Sequence, residues 1–136
     1  MITHRIARWA LGFLLVANWV LAADITGIWT GQQQGRNGQL EDVAFRFKLD
    51  GQTLTGKMFG DEFDLPIAAG TISGDQVRFT VTTTNYYNKN TTTFIYTGTI
   101  KGSELELVRE RVATPQDTPA ANRQQPAKLT LKLKRL

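Results

Sequence analysis

The chain has 136 residues, enough for one domain, with a formal net charge of +4, no cysteine and a single histidine, His4. That histidine lies in an N-terminal segment expected to be removed. What remains has no means of building a Ser-His-Asp triad, a thiol nucleophile or a His/Cys zinc site. The charge is uneven: residues 24 to 112 hold 9 Lys/Arg against 11 Asp/Glu, and residues 113 to 136 hold 5 Lys/Arg against Asp117. No basic, aromatic-lined groove of the kind nucleic acids require is therefore expected.

Residues 1 to 23 have the three parts of a secretory signal: His4, Arg5 and Arg8, an apolar run from Trp9 to Leu21, and small Ala22 and Ala23 before Asp24. Cleavage after Ala22 or Ala23 is expected, giving a secreted or periplasmic protein with no membrane attachment. The run is shorter than the roughly 20 apolar residues of a spanning helix. No cysteine follows it to carry a lipid, and Arg5 and Arg8 are not adjacent as in a twin-arginine signal. Residues 24 to 136 then form one domain that folds without disulfides, so its core alone must stabilise it.

That domain opens with a short strand, Asp24 to Gly31, carrying its only tryptophan, Trp29. Gln32 to Gln39 read as a polar loop. Val43, Phe45, Phe47 and Leu49 then alternate with Ala44, Arg46 and Lys48, the pattern of a strand with one buried face. After an Asp50-Gly51 turn, Leu54, Gly56 and Met58 continue the alternation. Gly60, Asp61 and Glu62 form a turn before a longer strand from Phe63 to Ile72, in which Pro66 removes a ladder donor and predicts a bulge or bend.

A phrase then occurs twice. Gly70-Thr71-Ile72-Ser73-Gly74-Asp75 leads into alternating Val77, Phe79 and Val81, and Gly98-Thr99-Ile100-Lys101-Gly102-Ser103 leads into Leu105 and Leu107. Each copy is a strand, a glycine turn and the next strand, the signature of a tight antiparallel hairpin. Between them Thr84 to Thr93 reads as a long hairpin tip with paired tyrosines and three asparagines. Ala113 to Ala127 contains Pro115, Pro119 and Pro126 without apolar period, a loop preceding a last strand of Leu129, Leu131 and Leu133. Eight strands in a meander, with the last pairing the first, predict a closed all-β antiparallel up-and-down barrel.

Gly27-Ile28-Trp29 on the first strand resembles the Gly-x-Trp opening of lipocalins and avidins. In those families the tryptophan closes one end of the barrel beneath a late-strand arginine, a structural part that Arg135 or Arg111 is placed to play here. The wider pattern resembles small secreted bacterial calycin-like β domains without established activity. It runs through Gly27 to Trp29, Phe45 to Phe47, Gly51 to Gly56, Gly70 to Phe79, Tyr96 to Gly102, Leu107 to Glu110, and Lys134 to Leu136. The resemblance implies a lipocalin-like barrel and export, and carries no catalytic residues. Its two departures are the Thr84 to Thr93 tip and the Pro-rich loop.

Three groups are candidate sites. Tyr86 and Tyr87, with Asn85 and Asn88, offer flat faces and amides to a glycan or peptide, or else fold back over the barrel mouth. Arg109 and Arg111 share the phase of inward Leu105 and Leu107. They either grip an anionic ligand, or turn outward at a bulge near Val108, or cover Trp29. Asp61, Glu62 and Asp64 read as solvated turn acids rather than an acid–base pair, because they lack the spacing across a cleft that such pairs need. Neither a metal nor a cofactor is expected. The bulky interior residues favour a filled barrel with any cavity at its open end. The expected function is non-catalytic binding of a small apolar molecule, a glycan or another exported protein, with inhibition of an exported or host enzyme through the tip as the alternative and a hydrolase acting through carboxylates ranked third.

Overall fold

A computed structural model describes residues 24–35, 38–112 and 128–136; the expected signal (1–23) and the Pro-rich loop (113–127) lie outside the described residues. The described chain is all strand and turn: β1 (Gly27–Gln34), β2 (Leu40–Asp50), β3 (Thr53–Phe59), β4 (Asp64–Pro66), β5 (Ala68–Ser73), β6 (Gln76–Thr84), β7 (Thr91–Lys101), β8 (Glu104–Arg111) and β9 (Lys128–Arg135). Every pairing is antiparallel, and β1 pairs both β2 and β9, so the sheet closes on itself. β4 and β5 are two halves of one strand, both paired with β3, so the ring is an eight-stranded barrel. The ring is closed at β1 by only three residue pairs, Trp29 with Arg135, Thr30 with Lys134 and Gly31 with Leu133.

The break between β4 and β5 falls at Ile67, directly after Pro66, and the register with β6 slips between Ala68 and Thr71. Inside that slip Ala69 has φ of 51°, a left-handed conformation that costs a residue with a Cβ about 1–2 kcal/mol. The bulge or bend expected near Leu65 and Pro66 is thus present, set slightly later in the chain, and it divides the strand expected from Phe63 to Ile72 into two short ones, because the proline withholds a ladder donor and a bulge absorbs the mismatch. Two loops are shorter than expected. β1 runs on to Gln34, paired with Leu40, and the β6–β7 ladder continues to Thr84 opposite Thr91, leaving a tip of Asn85 to Asn90. Facing threonines extend the latter: the Thr82 and Thr93 hydroxyls lie 3.0 Å apart, and β-branched pairs suit a pleated sheet.

The inward positions alternate as the sequence pattern requires. Phe45, Phe47, Phe79 and Tyr96 meet in the centre with ring centroids 4.9–5.7 Å apart, stacked or edge-on. Such contacts add to the area term for burying large rings. Space for them comes from inward glycines. A Cβ on Gly56, whose φ is +144°, would run into the Arg46 carbonyl of the neighbouring strand, so only glycine lets β3 approach β2 this closely opposite Phe47. Leu49 and Leu129, at the ends of their strands, are only partly buried against this core.

Candidate functional site

The two ends of the barrel differ. At one end lie the tight turns of the β2–β3, β5–β6 and β7–β8 hairpins, and it is sealed. Trp29 is fully buried, its indole N–H donates to the Ile25 carbonyl at 2.9 Å, and the Arg135 guanidinium lies 4.5 Å over the ring. Arg135 also donates to the backbone carbonyls of Asp24 and Thr26, tying the chain before β1 to the last strand. Of the two arginines considered for this cover, Arg135 occupies it, because it stands opposite Trp29 in the ladder, whereas Arg111 stands opposite Phe94 at the far end.

The other end is where polar groups enter the interior. β8 pairs both neighbours in unbroken register, so no bulge at Val108 turns the chain and Arg109 points inward, 7% exposed. Its guanidinium lies 4.8 Å over the Phe94 ring. Opposite Arg109 in register is Tyr96, whose hydroxyl donates to the Met58 sulfur at 3.4 Å. Burial raises the Tyr96 phenol above its usual range, and the adjacent Arg109 cation, also hydrogen-bonded to it, offsets part of that rise. Among the described residues no carboxylate lies within ion-pair distance of Arg109. Arg111, one inward position further toward the rim, is half-buried and has interactions of its own.

Gln33 is the residue that the sequence reading missed. Assigned to a loop, it is instead on β1 in the inward phase of Trp29 and Gly31, 9% exposed, and its buried Oε1 has no hydrogen-bond partner among the described residues. The signal was present as the continued alternation Trp29, Gly31, Gln33, masked by the polar run of Gln32 to Gln34.

The tip beside this end is internally bonded. Asn85 Oδ1 accepts from the backbone N–H groups of Tyr87 and Asn88, and Asn88 Oδ1 accepts from that of Asn90. Asn85 and Asn90 also close the hairpin through their backbones at 2.8 Å. The Asn85 and Asn88 side-chain oxygens thus serve the turn rather than facing a ligand, a difference from expectation that follows from the ease with which asparagine bonds its own backbone. The tyrosines do not fold back: Tyr86 is 79% and Tyr87 91% exposed, edge to face at 5.5 Å, with the Lys89 ammonium 4.7 Å from the Tyr86 ring.

The acids of the β3–β4 turn form no facing pair. Asp64 is bonded to Lys57 at 2.8 Å, and Asp61 and Glu62 are exposed on the turn itself. Asp61 borders a groove of about 490 Å³ on the outer side of β1, β2 and β3, which Asp42, Phe59 and Gln32 also line. Among the described residues no three His, Cys, Asp or Glu side chains come together as a metal site. Comparison with protein-family models, curated proteins and solved structures yields no match for the chain.

Proposed function

We propose that this chain is an exported, non-catalytic binding module of calycin-like kinship, which engages its partner with the open end of the barrel and chiefly with the Asn85 to Asn90 tip. The observation that carries the reading is where the exposed apolar side chains stand. Leu40, Tyr86, Tyr87 and Val112 are all at the open end, and only Leu136, of the five large exposed apolar residues described, is at the other. Exposed aromatics on a pre-bonded turn contribute binding area with little loss of conformational freedom, which is how recognition loops gain affinity. The filled aromatic centre supports placing the contact at the rim. Kinship with lipocalin-like domains is supported by the Gly27-x-Trp29 opening and the Arg135 cover; export is supported by the signal pattern of residues 1 to 23.

The partner is a glycan or another exported protein. Arrayed glycans and exported proteins of the producing cell are to be probed with the wild type and with the Tyr86→Ala/Tyr87→Ala variant. The reading expects a ligand held by the wild type and lost by the variant, with the unfolding midpoint unchanged because neither ring is buried. Ligands retained equally by both proteins count against it. A second reading is inhibition of an exported or host enzyme, favoured by the tip's self-bonded, projecting form. Loss of inhibition on deleting residues 85 to 90 distinguishes it.

A further inference from the structure

We infer that the outer wall of the barrel carries a second binding site, the groove across β1, β2 and β3, which takes a neutral sugar ring. The argument begins with register. Thr30 stands opposite Ala44 and Ala44 opposite Phe59, so these three residues make one row across the three strands. In the next outward-facing row Gln32 stands opposite Asp42, and Asp61 lies just past the end of β3. All six residues line the groove, whose volume of about 490 Å³ is within the usual range of small-molecule sites.

The two rows differ in chemistry. Phe59 places a half-buried ring on the outer face, and Ala44 beside it is small enough to leave a trough. That row offers apolar surface. The next row, two residues along the strands and so about 7 Å away, offers oxygens. Gln32 Nε2 donates to Asp42 Oδ1 at 3.2 Å, which orients the carboxylate and leaves Asp42 Oδ2 and Gln32 Oε1 as acceptors. Asp61 is exposed, and among the described residues neither aspartate forms an ion pair. The groove is thus an apolar strip beside a line of acceptors.

A ligand that matches both rows is flat and amphipathic, with C–H groups on a face and donors along an edge. A pyranose ring has that form: its C–H groups pack on an aromatic ring, and its neighbouring hydroxyls donate to the two oxygens of a carboxylate. Charge narrows the choice. Both ionisable residues that line the groove are acids, so acidic sugars and phosphates are repelled. A simple ammonium is a poorer match. It leaves the apolar row unused, and Phe59 already has the Lys57 ammonium 5.4 Å from its ring, held there by Asp64. The groove uses neither Tyr86 nor Tyr87, so it stands or falls independently of the contact proposed for the tip.

The test is a ¹H–¹⁵N NMR titration of the full chain with neutral trisaccharides of glucose, mannose, galactose and N-acetylglucosamine. Trigalacturonate and spermidine serve as the anionic and cationic controls. At least one neutral sugar is expected to give saturable shifts at Gln32, Asp42, Ala44 and Phe59, and the two controls none there. Asp42→Ala and Phe59→Ala should each weaken that binding by about tenfold, since each removes one half of the match. Should Phe59→Ala not fold, Gln32→Ala provides the reading beside Asp42→Ala, with a several-fold loss expected. The Tyr86→Ala/Tyr87→Ala variant should bind the sugar in the groove as the wild type does. The assignment is overturned if no neutral sugar gives a saturable shift at these residues up to its solubility limit. Equal binding of trigalacturonate or spermidine in the groove, or undiminished affinity in the folded variants, overturns it as well.

Discussion

Arg135 joins the two ends of the chain through one side chain. It covers Trp29 and holds the carbonyls of Asp24 and Thr26, which otherwise lie ahead of β1 with no ladder partner. Arg135→Ala is expected to cost about 2–3 kcal/mol in urea unfolding, and Arg135→Lys an intermediate amount, since an ammonium keeps the charge but not the fork. Tyr96 gives a pH signature. Its phenol is raised in the folded state by burial, so from about pH 10 upward the unfolded chain releases this proton first and stability falls as pH rises. Below that range both states hold the proton and stability does not depend on it. The stability of Tyr96→Phe should therefore fall less steeply than the wild type's above pH 10, as followed by urea midpoints across the alkaline range. The Trp29 and Arg135 positions were both legible in the sequence, from a Gly-x-Trp opening and an arginine in phase with the closing leucines. The self-bonded tip was not, because a run of asparagines names a turn without saying which amides it consumes.

Strand β9 shows how an element with lysines on its outer face is kept in place. Lys128, Lys132 and Lys134 stand opposite Glu110, Glu106 and Glu104 of β8, while Leu129, Leu131 and Leu133 face inward. The three lysines of β9 are thereby each set opposite a glutamate across the ladder. Each exposed pair contributes little, yet like charges directly opposite one another are unfavourable, so the row favours one register. Lys132→Glu is expected to destabilise by about 0.5–1 kcal/mol, and adding Glu106→Lys to restore most of it, as a double-mutant cycle in urea would show. Period-two alternation made these strands readable from sequence. It did not fix their ends: Gln32 to Gln34 look like loop by composition and are held in β1 by their pairing with β2. Nor did it reveal the split at Ile67, since a proline announces a disturbance without saying on which side the ladder resumes.

At the scale of the whole molecule, closure and filling decide where function is placed. A sheet of eight strands closes with an interior about wide enough for its own side chains, and here four aromatic rings occupy it. On the function proposed above, the contact is thereby placed at the open end and its tip. The account depends on β9 being a full member of the ring although its junction with β1 is three pairs long. Native-state amide hydrogen exchange of the full chain tests this most directly. The Leu131 and Leu133 amides should exchange as slowly as those of Phe79 and Tyr96, through global opening alone, while Tyr86 to Lys89 exchange much faster. Exchange of β9 far ahead of β6 and β7 would contradict the account, for it would mean a ring that opens at the β1 junction and an interior accessible from the side.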